Sequence, residues 1–120
     1  MAFIADTVFD NGLVVVGTNG TRLDICSAEP TSYSQATSTL TLGNDTVNTG
    51  APQGGATDGR RVVVPAVSAG SVTGTGTAAF WALTDGSSVL YATGALSASQ
   101  AVTTGNTFSL DAVSITIRDA

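Results

Sequence analysis

Over residues 71–117, apolar and polar positions alternate in short runs broken by Gly, Asp and Ser, the period-two signature of half-buried strands joined by turns. Within residues 71–84, Val72, Gly74, Gly76, Ala78 and Phe80 fall on one face and Thr73, Thr75, Thr77, Ala79 and Trp81 on the other. That spacing predicts one long strand whose small residues let another layer approach closely. Asp85-Gly86 is a hairpin signal feeding residues 89–92, and Gly94 continues or bends that strand. Residues 97–104 read as an exposed connection with Ala101 and Val102 as inward anchors. Two further alternations follow, one placing Phe108 and Leu110 on a shared face and the other Val113, Ile115 and Ile117.

The first half of the chain is less regular. Ile4, Val8, Phe9 and Leu13 recur at helical spacing, with Asp6 and Asp10 on the flanks, and predict a short amphipathic helix over part of residues 2–11. Asn11-Gly12 would close it, and the β-branched run Val14-Val15-Val16 favours a strand, so a strand pair is the rival reading. After a turn at Thr18-Asn19-Gly20, residues 21–27 alternate, with Leu23 and Ile25 facing one way and Arg22, Asp24 and Cys26 the other. Glu29-Pro30 stops that strand, because proline removes a ladder donor and restricts the residue before it. Residues 31–37 form a polar excursion, and Leu40 and Leu42 mark a short strand over residues 38–42.

Residues 43–59 are rich in Gly, Asn, Thr, Asp, Ala and Pro, with Val47 the one apolar anchor, and predict a long loop. Val62-Val63-Val64 then marks a strand that Pro65 limits to an edge or a bulge, and Ala69-Gly70 turns the chain. The total is about seven strands in one domain over residues 1–120. The expected class is mainly β: an antiparallel β-sandwich with a short N-terminal helix as an optional addition.

Composition sharpens the picture on one point. Of the 120 residues, 42% are hydrophobic and 11% charged, against about 25% charged in an ordinary soluble domain. A surface built of Thr, Ser, Asn, Gln and Gly has little electrostatic defence against association, which points to a protein that works inside an assembly. The net charge of −5 leaves only Arg22, Arg60, Arg61 and Arg118 for phosphate neutralisation, so no nucleic-acid partner is expected. No run approaches the roughly 18–20 apolar residues that span a bilayer, and no membrane partner is expected. Met1-Ala2-Phe3-Ile4-Ala5-Asp6 lacks the basic region of a secretory signal, so synthesis in a cytosol is expected.

Candidate chemistry is sparse. There is no His and no Lys, so catalytic residues, cofactors and bound metals are all expected to be absent. Asp6 and Asp10, one helical turn apart, lack a third ligand and read as solvated acids. Gly74-Thr75-Gly76 and Gly54-Gly55 lack both the lysine and the strand-to-helix setting of a phosphate loop. Cys26 has no internal partner; it reads as a small core residue, with an intermolecular disulfide formed after release from the cell as the alternative. Trp81, flanked by Phe80, Ala82 and Leu83, reads as a core or interface residue with its indole N–H paired to a carbonyl, rather than as an exposed sugar-stacking platform. The expected core comprises Leu23, Ile25, Phe80, Trp81, Phe108, Ile115 and Ile117.

The stretch Thr21-Arg22-Leu23-Asp24-Ile25-Cys26-Ser27-Ala28-Glu29-Pro30, followed by Ala36-Thr37-Ser38-Thr39 and Leu42-Gly43, resembles a family of small structural proteins of tailed bacteriophages. Trp81-Ala82-Leu83-Thr84-Asp85, the run from Ala92 to Gln100, and Gly105-Asn106-Thr107-Phe108 are similar to that family's C-terminal half. These are packing and turn residues, and the departure lies over residues 11–19, where the family is more plainly helical.

What the resemblance implies is a multicopy virion component assembled in the bacterial cytoplasm: a capsid decoration or cement protein, or a part of the neck, collar or tail. Its partners would be copies of itself, with trimers suiting a capsid surface, and other virion proteins such as the major capsid protein. A receptor- or carbohydrate-binding module is the alternative from another class. The expected subunit contacts are Phe3, Ile4, Val8 and Phe9, the loop over residues 44–59, and the Arg60-Arg61 pair set against acids of a neighbour.

Overall fold

The computed structural model describes residues 6–54 and 59–117. Helix α1 (Asp6–Asn19) leads into β1 (Arg22–Cys26), a π-helical turn (Gln35–Thr39), β2 (Thr41–Thr46), β3 (Gln53–Gly54) and β4 (Arg60–Val64). β5 (Val67–Val72), β6 (Gly76–Thr84), β7 (Leu90–Val102), β8 (Thr107–Leu110) and β9 (Val113–Ile117) complete the chain. The protein is mainly β. A six-stranded antiparallel sheet in the order β7-β6-β1-β2-β5-β8 curls over an apolar interior, and a three-stranded sheet, β3-β4-β9, packs against it. Val64, Val113 and Ile115 of the small sheet join Leu23, Ile25, Trp81, Leu83 and Phe108 of the large one in a common core.

β1 sits in the middle of the large sheet and is buried on both sides. Leu23 and Ile25 point into the main core. Cys26 faces the opposite way, into a smaller cluster with Ala36 and Ala82, onto which Leu40, Phe80 and Leu90 pack. The polar excursion after Pro30 therefore serves the fold, since its π-helical turn covers the outer face of β1.

Several expectations are corrected by the fold. The helix does not end at Asn11 but runs to Asn19, where the Gly20 N–H donates to the Val16 carbonyl at 2.8 Å. Gly12 costs a helix interior about 1 kcal/mol. Burial of Leu13 and the packing of Val16 on the main core oppose that cost, so Val14-Val15-Val16 is helical despite its β-branched side chains. The segment over residues 43–59 is not a single loop. Residues 43–46 belong to β2 and pair with β1, Val47 and Thr49 are buried, and Gln53–Gly54 pairs with β4. Ladder hydrogen bonds are made by the backbone, so a strand between two partners does not need an apolar sequence.

Residues 71–84 are two strands rather than one, since β5 ends at Val72 and β6 begins at Gly76, while Ala69-Gly70 lies inside β5 instead of turning the chain. Residues 97–104 are not a free connection, because β7 runs unbroken to Val102. Between Ala78 and Phe80 the β6–β7 register shifts at a bulge. Ala78, Trp81 and Leu83 face the main core and Phe80 joins the outer cluster, so Ala78 and Phe80, expected to share a face, lie on opposite sides of the sheet.

The hairpin at Asp85-Gly86 forms, closed by the Asp85 N–H donating to the Val89 carbonyl at 3.2 Å. Asp85 Oδ1 accepts from the N–H groups of Ser87, Ser88 and Val89 at 2.8, 2.9 and 3.0 Å. Gly86 takes φ +77°, a value that L side chains avoid.

Candidate functional site

Three places on the molecule could meet a ligand or a partner. The first is the outward side of α1. Leu13 is sealed against the body of the protein, whereas Val14 and Val15 are 49% and 45% exposed. The helix backbone lies close enough to residues 47–52 that a Cβ on Gly17 would come within 2.7 Å of the Gly50 carbonyl oxygen. Alongside runs a groove of about 210 Å³ lined by Val14, Gly17, Thr18, Thr49 and Pro52, with Val15 exposed next to it in the chain. Phe3 and Ile4 lie outside the described residues, as do the side chains of Val8 and Phe9 on the preceding turns of α1.

The second is a cleft of about 480 Å³ between the outer strands of the curled sheet. β7 contributes Ala95, Leu96, Ser97, Ala98 and Gln100, and the β8–β9 corner contributes residues 109–114. Trp81 lines it from β6 but is only 7% exposed, so it offers no open ring face for stacking a sugar. Among the described residues no hydrogen bond engages its indole N–H, contrary to the expected carbonyl partner. Gln100 Nε2 donates to the Ser109 carbonyl at 2.7 Å and ties the two walls together.

The third is the basic pair on β4. Arg60 stands opposite Gly54 and Ile117 in the small sheet, and Arg61 opposite Gln53 and Thr116. Both are partly exposed, and the Arg61 Nε–H is buried without an acceptor among the described residues. An unsatisfied buried donor costs about 1–3 kcal/mol.

The remaining polar chemistry is internal. Asp24 is fully buried and accepts from Arg22 Nε and Nη2 at 2.8 and 3.1 Å and from Thr41 Oγ1 at 2.7 Å. Its carboxylate holds the Arg22 guanidinium above the usual arginine value, chiefly through those hydrogen bonds. Cys26 is also fully buried, its Sγ 3.7 Å from the Ala36 carbonyl oxygen. Desolvation, and secondarily the Asp24 charge, push its thiol up to about 12. A sulfur held protonated beneath the π-helical turn cannot reach another molecule unless that cover opens, which favours the core role over an intermolecular disulfide.

Among the described residues no group of three or more His, Cys, Asp or Glu side chains converges as a metal site would require. The expected core residues Leu23, Ile25, Trp81 and Phe108 are buried, while Phe80 and Ile115 are partly so. The side chain of Ile117 is outside the described set. Comparison with known proteins finds no matching family model, no matching curated protein and no matching solved structure.

Sequence reasoning missed both the cleft and the outward valines. The cleft lies between β7 and β8, neighbours in the chain that the sheet order places at its two ends. The valines are concealed in a run whose composition favours a strand.

Proposed function

We propose that this chain is a non-enzymatic structural protein of a tailed-bacteriophage virion, held by contacts with copies of itself and with a larger shell, as a decoration or cement protein on the capsid. The observation that carries the assembly reading is the pair Val14 and Val15, each about half exposed on α1, with Val14 at the rim of a groove. Exposed apolar side chains on a helix, on a molecule with only 11% charged residues, suit a repeated subunit contact. Arg61, with a buried donor lacking an acceptor among the described residues, adds a position where a neighbour's acid would relieve a local cost. The virion setting rests on the resemblance of residues 21–43 and 81–108 to phage structural proteins.

Two measurements test this. The purified chain should show a mass that rises with concentration in sedimentation analysis. Quantitative mass spectrometry of particles from a producing host should find hundreds of copies for a capsid role, or about a dozen for a neck or collar role. A strictly monomeric chain absent from every particle preparation would remove the reading. Weak binding of monosaccharides accompanied by quenching of Trp81 would favour a receptor-binding module instead.

A further inference from the structure

The cleft of about 480 Å³ lies where β7 leaves its regular pairing with β6. Gln100 pairs with Ala78 and Ala95 with Phe80, so residues 96–99 form a bulge set against Ala79 alone. A bulge bends its strand and re-aims the side chains beside it. Leu96, the first residue of the bulge, packs on the main core, as do Leu110 and Val113 from the opposite wall, and all three stay partly exposed in the cleft. Gln100, where regular pairing resumes, reaches across to the Ser109 carbonyl at 2.7 Å and ties the walls at one end.

At the floor lies a donor without an acceptor. Trp81 is only 7% exposed, yet among the described residues no hydrogen bond engages its indole N–H. The ring edge that carries Nε1 is turned to β7, since a Cβ on Gly94 would come 2.6 Å from that nitrogen, and Ala95 and Leu96 of the cleft wall follow Gly94 directly. The N–H is not sealed either: among the described residues Arg61 Nε is the only side-chain nitrogen or oxygen both unbonded and fully occluded. Buried polar groups ordinarily have a partner, and an open pocket is where this one can find it.

We propose that the cleft binds a small uncharged molecule built of an apolar body and a carbonyl group, such as a primary amide. Its carbonyl oxygen accepts from Trp81 Nε1–H, and its apolar body lies on Leu96, Leu110 and Val113. The lining chooses among acceptors. No Arg lines the cleft and the chain has no Lys or His, so a carboxylate or phosphate would lose its water without gaining a counter-charge. An ammonium has no lone pair with which to accept from the indole. The volume falls in the range of about 300–1,000 Å³ usual for small-molecule sites. This inference does not rest on the virion reading and concerns a place separate from the exposed valines of α1.

Trp81 is the single tryptophan, so its indole N–H gives one resonance in the nitrogen-15 NMR spectrum of the full labelled chain. Cyclohexylacetamide should shift that resonance downfield and saturably, together with the methyl groups of Leu96, Leu110 and Val113. Cyclohexylacetate, of the same shape but anionic, and 2-cyclohexylethylammonium, which lacks an acceptor, should each bind at least about tenfold more weakly. Acetamide, which lacks the apolar body, should not saturate the site.

Trp81→Phe keeps an aromatic ring but removes the donor, and should weaken cyclohexylacetamide at least about tenfold. Should that variant not fold, Ala112→Leu, at an exposed position of the wall, should obstruct the cleft and reduce binding in a folded protein. No saturable shift of the indole resonance at the highest soluble concentration of the amide, equal binding of the carboxylate or the ammonium, or unchanged affinity in a folded Trp81→Phe chain overturns the proposal. Shifts confined to residues outside the cleft equally overturn it.

Discussion

Replacing Val14 and Val15 together with Lys tests the self-association surface without touching the core. Both side chains are about half exposed and neither belongs to the buried core, and Lys is a better helix former than Val. Fully burying a valine side chain stabilises by about 1.5–3 kcal/mol. With 49% and 45% of these residues still exposed, covering the remainder is worth about 0.7–1.5 kcal/mol for each. A twofold contact uses both residues on both subunits, for a total of about 3–6 kcal/mol, or roughly 10²–10⁴ in Kd. Sedimentation equilibrium on parent and variant reads this directly, with far-UV circular dichroism and Tm as controls for folding. A variant that stays folded and self-associates within threefold of the parent would refute the assignment of this face to assembly.

The other predictions concern the interior and the turns. Gly94→Ala should cost about 1–3 kcal/mol by overpacking. Its Cβ would come 2.6–2.7 Å from Nε1, Cε2 and Cζ2 of Trp81, so thermal melts should fall and Trp81 emission should move, and an unchanged Tm would show that the indole yields freely. Cys26 should react with an aromatic disulfide reagent at pH 8 at least 100-fold more slowly in the native protein than in denaturant, since its thiol is fully buried and raised to about 12; rapid stoichiometric native reaction would contradict that burial. The N–H groups of Val89, Ser88 and Ser87 hold the Asp85 carboxyl below the usual range. Its stabilising effect is therefore present above the unfolded value near pH 4 and is lost as pH falls through the lower folded value. Asp85→Asn should lower Tm at pH 7 and converge with the parent as pH drops toward 2; a constant offset at every pH would argue against the charge.

Where local sequence and local geometry coincide, the chain was legible. Leu23 and Ile25 alternate as a strand must and occupy the core, Phe108 shares a face with Leu110, and Asp85-Gly86 makes the turn its side chain and φ preference allow. Pro65 ends β4 because it has no N–H to give. These features depend on one residue and its near neighbours, and so survive translation from pattern to structure. The low charge is a property of composition alone.

Other features were settled by partners distant in the chain. The helix crosses Asn11-Gly12 and keeps three valines because Leu13 and Val16 find cover in the body of the protein, a gain no local propensity contains. Residues 43–46 become a strand because β1 and β5 lie on either side of β2 to take their hydrogen bonds. Ala78 and Phe80, alternating onto one face in the sequence, part at the bulge where the β6–β7 register shifts, an irregularity that only the pairing of the two strands reveals. The sequence by itself thus determined a sparsely charged β protein, the Asp85-Gly86 turn, and the inward placing of Leu23, Ile25, Trp81 and Phe108. Tertiary structure alone decided which strands border the cleft and which valines remain uncovered, because sheet order and register come from pairing such as β1 with β6 and β2 with β5, between segments tens of residues apart.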